Sequence, residues 1–328
     1  MGYPLTIRRT ASFRNCLTHR SCYSEWMNQA SSPLNGGKAR VAKTDNTALT
    51  LAQKGRGNPF DPANYGEIVK PGELVDIVEL SPLTLADRRI YNLLIANAWD
   101  RIGEPVIHSI AKSALKGTHQ GNERIESSLL RLMGTIAIVT IRKAGKSYKR
   151  RVQLLGPSDE SLEKDGFLHY RIPEELIEIL RNSEVYARLK TQVMYCFESK
   201  YALCLYEMIE RRIGLEYKQS EEFTIAELRG LLNVPDGKLE RFADFNKYCL
   251  KVAKDEINKL CPFWVEFTPI KKGRKVERVS LMWLPKTQGG KRDAQNLIDQ
   301  HSIVRRAKMR GGIPEMPVLV DFSAPALR

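Results

Sequence analysis

Arg142, Lys143, Lys146, Lys149, Arg150 and Arg151 place six positive charges within ten residues, with no acid between them. Such a run repels itself in the free chain. A polyanion relieves that repulsion, and the encounter gains free energy as counterions are released. A second run, Lys271-Lys272-Gly273-Arg274-Lys275, holds four cations in five residues. Upstream of it, Lys247, Lys251, Lys254 and Asn258 recur at i, i+4, i+7 and i+11, which sets them on one helical face. Arg241, Asp244 and Asn246 border that face near its N-terminal half. Arg124, Ser128 and Arg131 share the outer face of an earlier helical stretch. Lysines neutralise phosphates, whereas Asn and Arg also hydrogen-bond base edges. A solvated amphipathic helix would carry the same lysines. The cationic runs beside both helices shift the reading to an interface for nucleic acid.

The motifs of common catalytic sites are missing. Gly145-Lys146-Ser147 looks like the end of a phosphate loop, but the glycine required five residues before Gly145 is Thr140, and the tripeptide lies in a turn rather than ahead of a helix. His19, His108, His119, His169 and His301 form no H-x-H or H-E-x-x-H pair. No nucleophile elbow of the G-x-S-x-G type is present. The six cysteines make no C-x-x-C pair and no zinc spacing, so they read as reduced thiols, the last four as buried small hydrophobes. The expectation is a non-enzymatic protein with no cofactor and no metal.

The 328 residues include 52 basic and 38 acidic ones, for a net charge of +14. At roughly 100 to 200 residues per domain, two domains are expected. Residues 1–60 carry nine Lys/Arg against two Asp/Glu, and residues 286–328 carry eight against four. Most of the net charge therefore lies at the two ends. Residues 1–60, poor in apolar periodicity, read as mostly disordered, with an organelle transit peptide as the lesser alternative. No apolar run is long enough for a membrane span, and the N-terminus has no signal-peptide core, so a cytoplasmic location is expected. No amphipathic helix with bulky apolar anchors accompanies the cationic runs, which argues against a lipid surface.

The same order of elements occurs twice. Thr84 with Asp87 is a capping-box start for a helix over 84–98. Ile107–Lys116 reads as a second helix and Asn122–Met133 as a third. Ile136–Ile141 and Tyr148–Leu155 then read as strands joined at Ala144-Gly145. Gly156–Glu160 reads as a loop, 167–171 as a strand, and Pro173 opens a helix. Glu184–Phe197 bridges to a second round. There Ser199 opens a helix, Thr224 with Glu227 caps another, and Pro235-Asp236-Gly237 makes a turn. A long helix runs from about Leu239 to Leu260, with Phe242, Phe245, Cys249, Val252, Glu256/Ile257 and Leu260 inward. Phe263–Pro269 and Val276–Leu284 form the second strand pair, and 293–308 is a short helical candidate in the tail. Three helices followed by a hairpin is the winged-helix order, whose third helix enters a major groove while the wing touches backbone or minor groove. The fold class is thus α+β: a disordered basic extension over 1–65, one winged-helix unit at 66–190, a second at 191–285, and a disordered basic tail at 286–328.

The segments Phe223–Pro235, Phe242–Asn258, Ile270–Val276 and Ser199–Glu207 resemble the iteron-binding plasmid replication initiators of bacteria, and Ser81–Tyr91 is a looser match. The resemblance spans about 75–285. It implies tandem winged-helix units that bind directly repeated origin DNA, open an AT-rich segment, and recruit the host initiator and helicase without nucleotide hydrolysis. It further implies a monomer as the origin-binding form, in equilibrium with a homodimer, formed largely through the first unit, that represses its own promoter. By matched position Lys247 is a DNA contact, Asn246 stands where the family usually has a basic residue, and Cys249 takes a core site often filled by valine. Two other classes compete: a winged-helix transcriptional repressor without initiator activity, and a DNA-processing enzyme.

Overall fold

The computed structural model describes residues 66–309, apart from 116–121, 144, 163–165, 182, 184 and 214–218. The expected disordered extension at 1–65 and the chain beyond 309 lie outside the described residues.

The first unit opens with β1 (Glu67–Pro71) and β2 (Val78–Glu79), followed by α1 (Leu85–Ala98). Thr84 caps α1 as its spacing predicts. Its side chain accepts from the Asp87 N–H at 3.2 Å, and the Asp87 carboxylate accepts from the Thr84 N–H at 2.8 Å. Ile90, Leu93, Leu94 and Ala98 line the buried side of α1. Next come β3 (Ile107–Ala111), the single turn α2 (Lys112–Leu115) and α3 (Asn122–Gly134), which packs on α1. The wing is β4 (Ile136–Lys143) with β5 (Lys146–Gln153), paired antiparallel so that Lys143 faces Lys146 across the turn. β2 adds a third strand beside β4.

The helix expected over 107–116 is instead mostly a strand. Ile107-His-Ser-Ile-Ala111 alternates exposed and buried positions and pairs residue by residue with β7 (Phe167–Arg171). A period of two with β-branched residues, satisfied by a distant partner strand, outweighs the helical reading. β6 (Ser158–Glu160), within the expected loop, completes that sheet on the other side of β7.

The stretch expected to bridge the units is also structured. After α4 (Glu174–Arg181), β8 (Tyr186–Lys190) pairs with β1, and α5 (Thr191–Cys196) follows. The second unit then runs α6 (Lys200–Ile213), β9 (Ser220–Thr224), α7 (Ile225–Leu231), the long helix α8 (242–260), and the wing β10 (Phe263–Lys272) with β11 (Lys275–Pro285). Here the third strand, β9, sits beside β11, whereas in the first unit it sits beside the leading wing strand. Thr224 and Glu227 form the second capping box.

α6 belongs to the cores of both units. It packs on α8 and β8, and its Glu207 is buried toward the first unit. There the Glu207 carboxylate accepts from the Lys70 ammonium at 2.8 Å and from the Asn92 amide at 2.7 Å. Arg212 reaches Asp76 at 3.0 Å and Glu221 at 2.7 Å. Asn233, held at φ 51°, donates to the Ile77 carbonyl and accepts from the Glu79 N–H. Asparagine is one of the few residues that tolerates that backbone region. A Cβ on Gly230 would meet Val78 at 3.3 Å, so α7 lies close against β2.

Two expectations at the C-terminal side need correction. α8 starts at Phe242, not Leu239, whose φ of +52° is incompatible with a right-handed helix. The stretch after Pro285 is not a disordered tail throughout: α9 (Gln288–Met309) buries Ala294 and Ile298 and packs on α5 and α8. Lys286, expected to add to a free basic tail, is buried. Its ammonium donates to the Asn258 carbonyl at 2.6 Å, near the end of α8, and stands 4.5 Å from the Trp264 ring. Cys196, Cys204, Cys249 and Cys261 are buried free thiols, and burial raises the pKa of Cys204 to about 11.

Candidate nucleic-acid interface

α8 is built in three consecutive pieces. Phe242–Phe245 is α-helical, Asn246–Leu250 is a π-helical turn, and Lys251–Leu260 is α-helical again. The wide turn is marked by the Lys251 N–H, which donates to the Asn246 carbonyl five residues back. At 3.6 residues per turn, one inserted residue rotates everything downstream by about 100°. The buried face accordingly runs Phe245, Cys249, Leu250, Ala253, Ile257, Leu260. Val252, expected inside, is 36% exposed, and Ala253 takes its place in the core.

The same rotation divides the polar face. Lys247 and Lys251 are exposed on the outer side, one turn apart. Lys247 sits 4.8 Å from the Tyr248 ring, and hydrogen bonding to Tyr248 raises its pKa. Lys254 does not join them: its ammonium lies 3.1 Å from Glu266 on β10. Asn258 is also turned inward. It accepts from the Val265 N–H at 2.7 Å and donates to the Val265 carbonyl at 3.0 Å, clamping helix to wing. Among the bordering residues, Arg241 and Asn246 are exposed, and Asp244 is half-buried in the first turn.

The second wing carries its cations at the tip. Lys272 and Lys275 are paired across a two-residue turn, Gly273-Arg274. Gly273 has φ +64°, the conformation that a glycine at the first central position of a II′ turn supplies. Lys271, Lys272, Arg274 and Lys275 are all exposed. The Lys272–Glu277 approach of 3.8 Å joins two exposed side chains and holds little.

The first unit departs further from expectation. Ser128 is fully buried, and Arg131 is engaged within the fold. The Arg131 guanidinium makes a bidentate pair with Asp87, both contacts at 2.8 Å, tying α3 to the cap of α1. Burial pushes the Asp87 carboxyl up, but hydrogen bonds from Arg131, Ser128 and Thr84 outweigh it and hold its pKa below the ordinary range. Among its described side chains, Glu126, Leu130 and the Asp87-held Arg131 make up the exposed side of α3. Spacing alone groups Arg131 with Arg124 and Ser128; Asp87 lies 44 residues away and gives no signal in that helix. The Arg124, Arg142 and Lys143 side chains lie outside the described residues.

The first wing retains its charge. Lys146, Lys149 and Arg151 are exposed, while Arg150 shares the face of buried Val152 and bonds Glu178 on α4 at 2.7 Å. Exposed cations thus stand on α8 and on both wings. No cluster of acids, histidines and cysteines among the described residues could hold a metal ion. No helix among them is long and apolar enough to cross a membrane.

Among curated proteins no significant relative is found. A solved structure described as the Pi initiator protein in complex with iteron DNA is similar at 19% identity and a TM-score of 0.49, covering 68% of this chain and 99% of that one. Domains 2 and 3 of RctB match at 11% identity and a TM-score of 0.37, covering 66% of this chain and 85% of that one. Two family models match in tandem: the WH1 unit described as Initiator Replication protein over residues 67–210, and the WH2 unit described as Initiator Rep protein over residues 224–283. With α6 closing the first match and the capped helix α7, α8 and its wing filling the second, the chain belongs to the Rep initiator family of tandem winged-helix proteins.

Proposed function

We propose that this protein initiates plasmid replication by binding directly repeated origin DNA, with α8 in a major groove and the two wings on flanking backbone. The observation that carries this is the alignment of charge with fold. In the WH2 unit, Lys247 and Lys251 on the third helix and Lys271, Lys272, Arg274 and Lys275 on the wing are exposed, as winged-helix docking requires. The WH1 wing adds Lys146, Lys149 and Arg151. In this reading residues 191–285 supply most of the sequence-specific contact, and residues 66–190 supply backbone contacts and the dimer surface. Arg241, Asp244 and Asn246, at the N-terminal end of α8, stand nearest to base edges. The homodimer represses the protein's own promoter, and the DNA-bound monomer recruits the host initiator and helicase in the cytoplasm. No nucleotide hydrolysis is part of the reaction.

The test is a plasmid that carries the gene with its flanking direct repeats. Deleting the gene abolishes maintenance. The wild-type gene supplied in trans restores it, and a Lys247→Ala, Lys251→Ala variant with intact fold does not. Persistence of the plasmid without the gene would refute initiation and leave the repressor reading; a covalent protein–DNA adduct or metal-dependent cleavage would instead establish an enzyme.

A further inference from the structure

The rotation of α8 leaves two apolar side chains in the midst of its cations. Tyr248 is 51% exposed and Val252 is 36% exposed. They are four residues apart and therefore adjacent on the helix surface, beside the equally spaced pair Lys247 and Lys251. A straight α-helix would have put Val252 in the core; the π-helical turn puts it outside, at the cost of a smaller core residue, Ala253. Bulky apolar groups held in water beside two ammonium groups call for a surface that is anionic overall and apolar in small spots. An apolar protein groove does not fit, because it would have to desolvate Lys247 and Lys251 without compensation. The major groove does: thymine C5-methyl groups are its apolar spots, and phosphates border it on both sides.

We infer that Tyr248 and Val252 are specificity-determining residues that contact thymine methyl groups, while Lys247 and Lys251 engage the adjoining phosphates. The inference rests on the DNA-binding reading above and adds the base class that α8 selects. The ring of Tyr248 covers one methyl and the branched Val252 side chain the next, so the bound sequence carries thymines within one helical turn of each other.

The full chain is first used to enrich duplexes from a random library, and the enriched motif is expected to hold thymine at one or two positions that tolerate no other base. Each such thymine is then replaced by deoxyuridine, which keeps the base pairing and removes only the methyl. Wild-type affinity should fall by about fourfold per methyl, the equivalent of one buried methylene. Val252→Ala should bind the thymine duplex more weakly and show no further loss on the uracil duplex at one position; Tyr248→Ala should do the same at the other. Tyr248→Phe keeps the ring and should keep the sensitivity. Lys247→Ala should lose affinity equally on both duplexes. Both apolar side chains are exposed, so these variants fold. If a motif is enriched but uracil changes nothing, or if Val252→Ala and Tyr248→Ala retain full sensitivity, the inference is overturned while DNA binding stands. If no motif is enriched, the sequence-specific binding proposed above itself fails.

Discussion

The most direct perturbation of the interface is neutralisation of the second wing tip with Lys271→Gln, Lys272→Gln, Arg274→Gln and Lys275→Gln. Nine exposed cations enter the count as phosphate contacts: Lys146, Lys149, Arg151, Lys247, Lys251, Lys271, Lys272, Arg274 and Lys275; exposed Arg241 is assigned to base edges, and exposed Lys259, at the far end of α8, is not counted. Arg150 and Lys254 are left out because Glu178 and Glu266 already hold them. Each phosphate neutralised contributes about −0.9 to the slope of log affinity against log salt, so nine contacts give about −8 and the variant about −4.5. Raising salt from about 50 to about 200 mM should therefore weaken the wild type by roughly five decades and the variant by roughly three. The four side chains are exposed and Lys272 has only a 3.8 Å contact with Glu277, so folding stability should stay within about 0.5 kcal/mol. The assay is fluorescence anisotropy on a labelled origin duplex and on a scrambled one at four or more salt concentrations, with the melting curve of each protein alongside. Because wing contacts position the protein without reading bases, specific and scrambled duplexes should lose the same number of contacts. A slope unchanged by the four substitutions would refute the placement of this wing on DNA, and a loss confined to the origin duplex would refute its role as a backbone clamp.

Four further substitutions separate structural charges from binding ones. Arg131→Ala should lower stability by about 2–3 kcal/mol, less than the loss of a fully buried ion-pair partner because Arg131 is 42% exposed and Asp87 keeps its capping bonds, whereas Lys149→Ala should leave the denaturation midpoint in place and weaken DNA binding. Glu207→Ala strands the buried Lys70 ammonium and the Asn92 amide and should cost about 3–5 kcal/mol, lowering the denaturant midpoint of the whole tandem; a midpoint unchanged would disprove that α6 is the shared core element. Burial pushes Glu210 up from 4.5 to about 7, so its contribution favours the folded state below about pH 4.5 and is lost as pH rises through 7. Glu210→Gln should therefore flatten the decline in stability between pH 5 and 8 measured by urea titration, and an identical decline in both proteins would show that another group is responsible.

Much of this architecture was legible because local signals agreed with the tertiary outcome. Thr84 with Asp87 and Thr224 with Glu227 announce helix starts through side-chain chemistry that needs no distant partner. The wing at Lys271–Lys275 is announced by a glycine at the only kind of position where positive φ is free. What escaped the sequence was set elsewhere in the chain. Ile107–Ala111 is a strand because β7, some 60 residues on, supplies its ladder, and the two-residue β2 is too short to show a period of its own. Arg131 resembles a surface cation until Asp87 is brought to it, and Ser128 a surface hydroxyl until α1 covers it.

The π-helical turn carries the greatest functional weight, since it changes which residues the candidate site contains. Periodicity at 3.6 assigns Lys247, Lys251, Lys254 and Asn258 to one face, and nothing in Asn246–Leu250 breaks that pattern locally: there is no proline and no glycine. The choice is made by packing. Phe245 and Ile257, on either side of the turn, are both buried, yet in a regular helix residues twelve apart point about 120° away from each other. Inserting one residue removes about 100° of that and lines both up on the core. It hands Lys254 and Asn258 to the wing, where they fix the angle between helix and hairpin, and it delivers Val252 to the surface beside Tyr248. The residues that fix helix to wing and the residues proposed to touch DNA are thus sorted by a single backbone hydrogen bond, Lys251 N–H to the Asn246 carbonyl. A change that restores a regular turn there, such as deletion of Asn246, should return Val252 to the core and release Asn258 from Val265, abolishing the preference for the origin duplex over the scrambled one in the anisotropy assay; a preference retained by the deletion variant would refute this sorting.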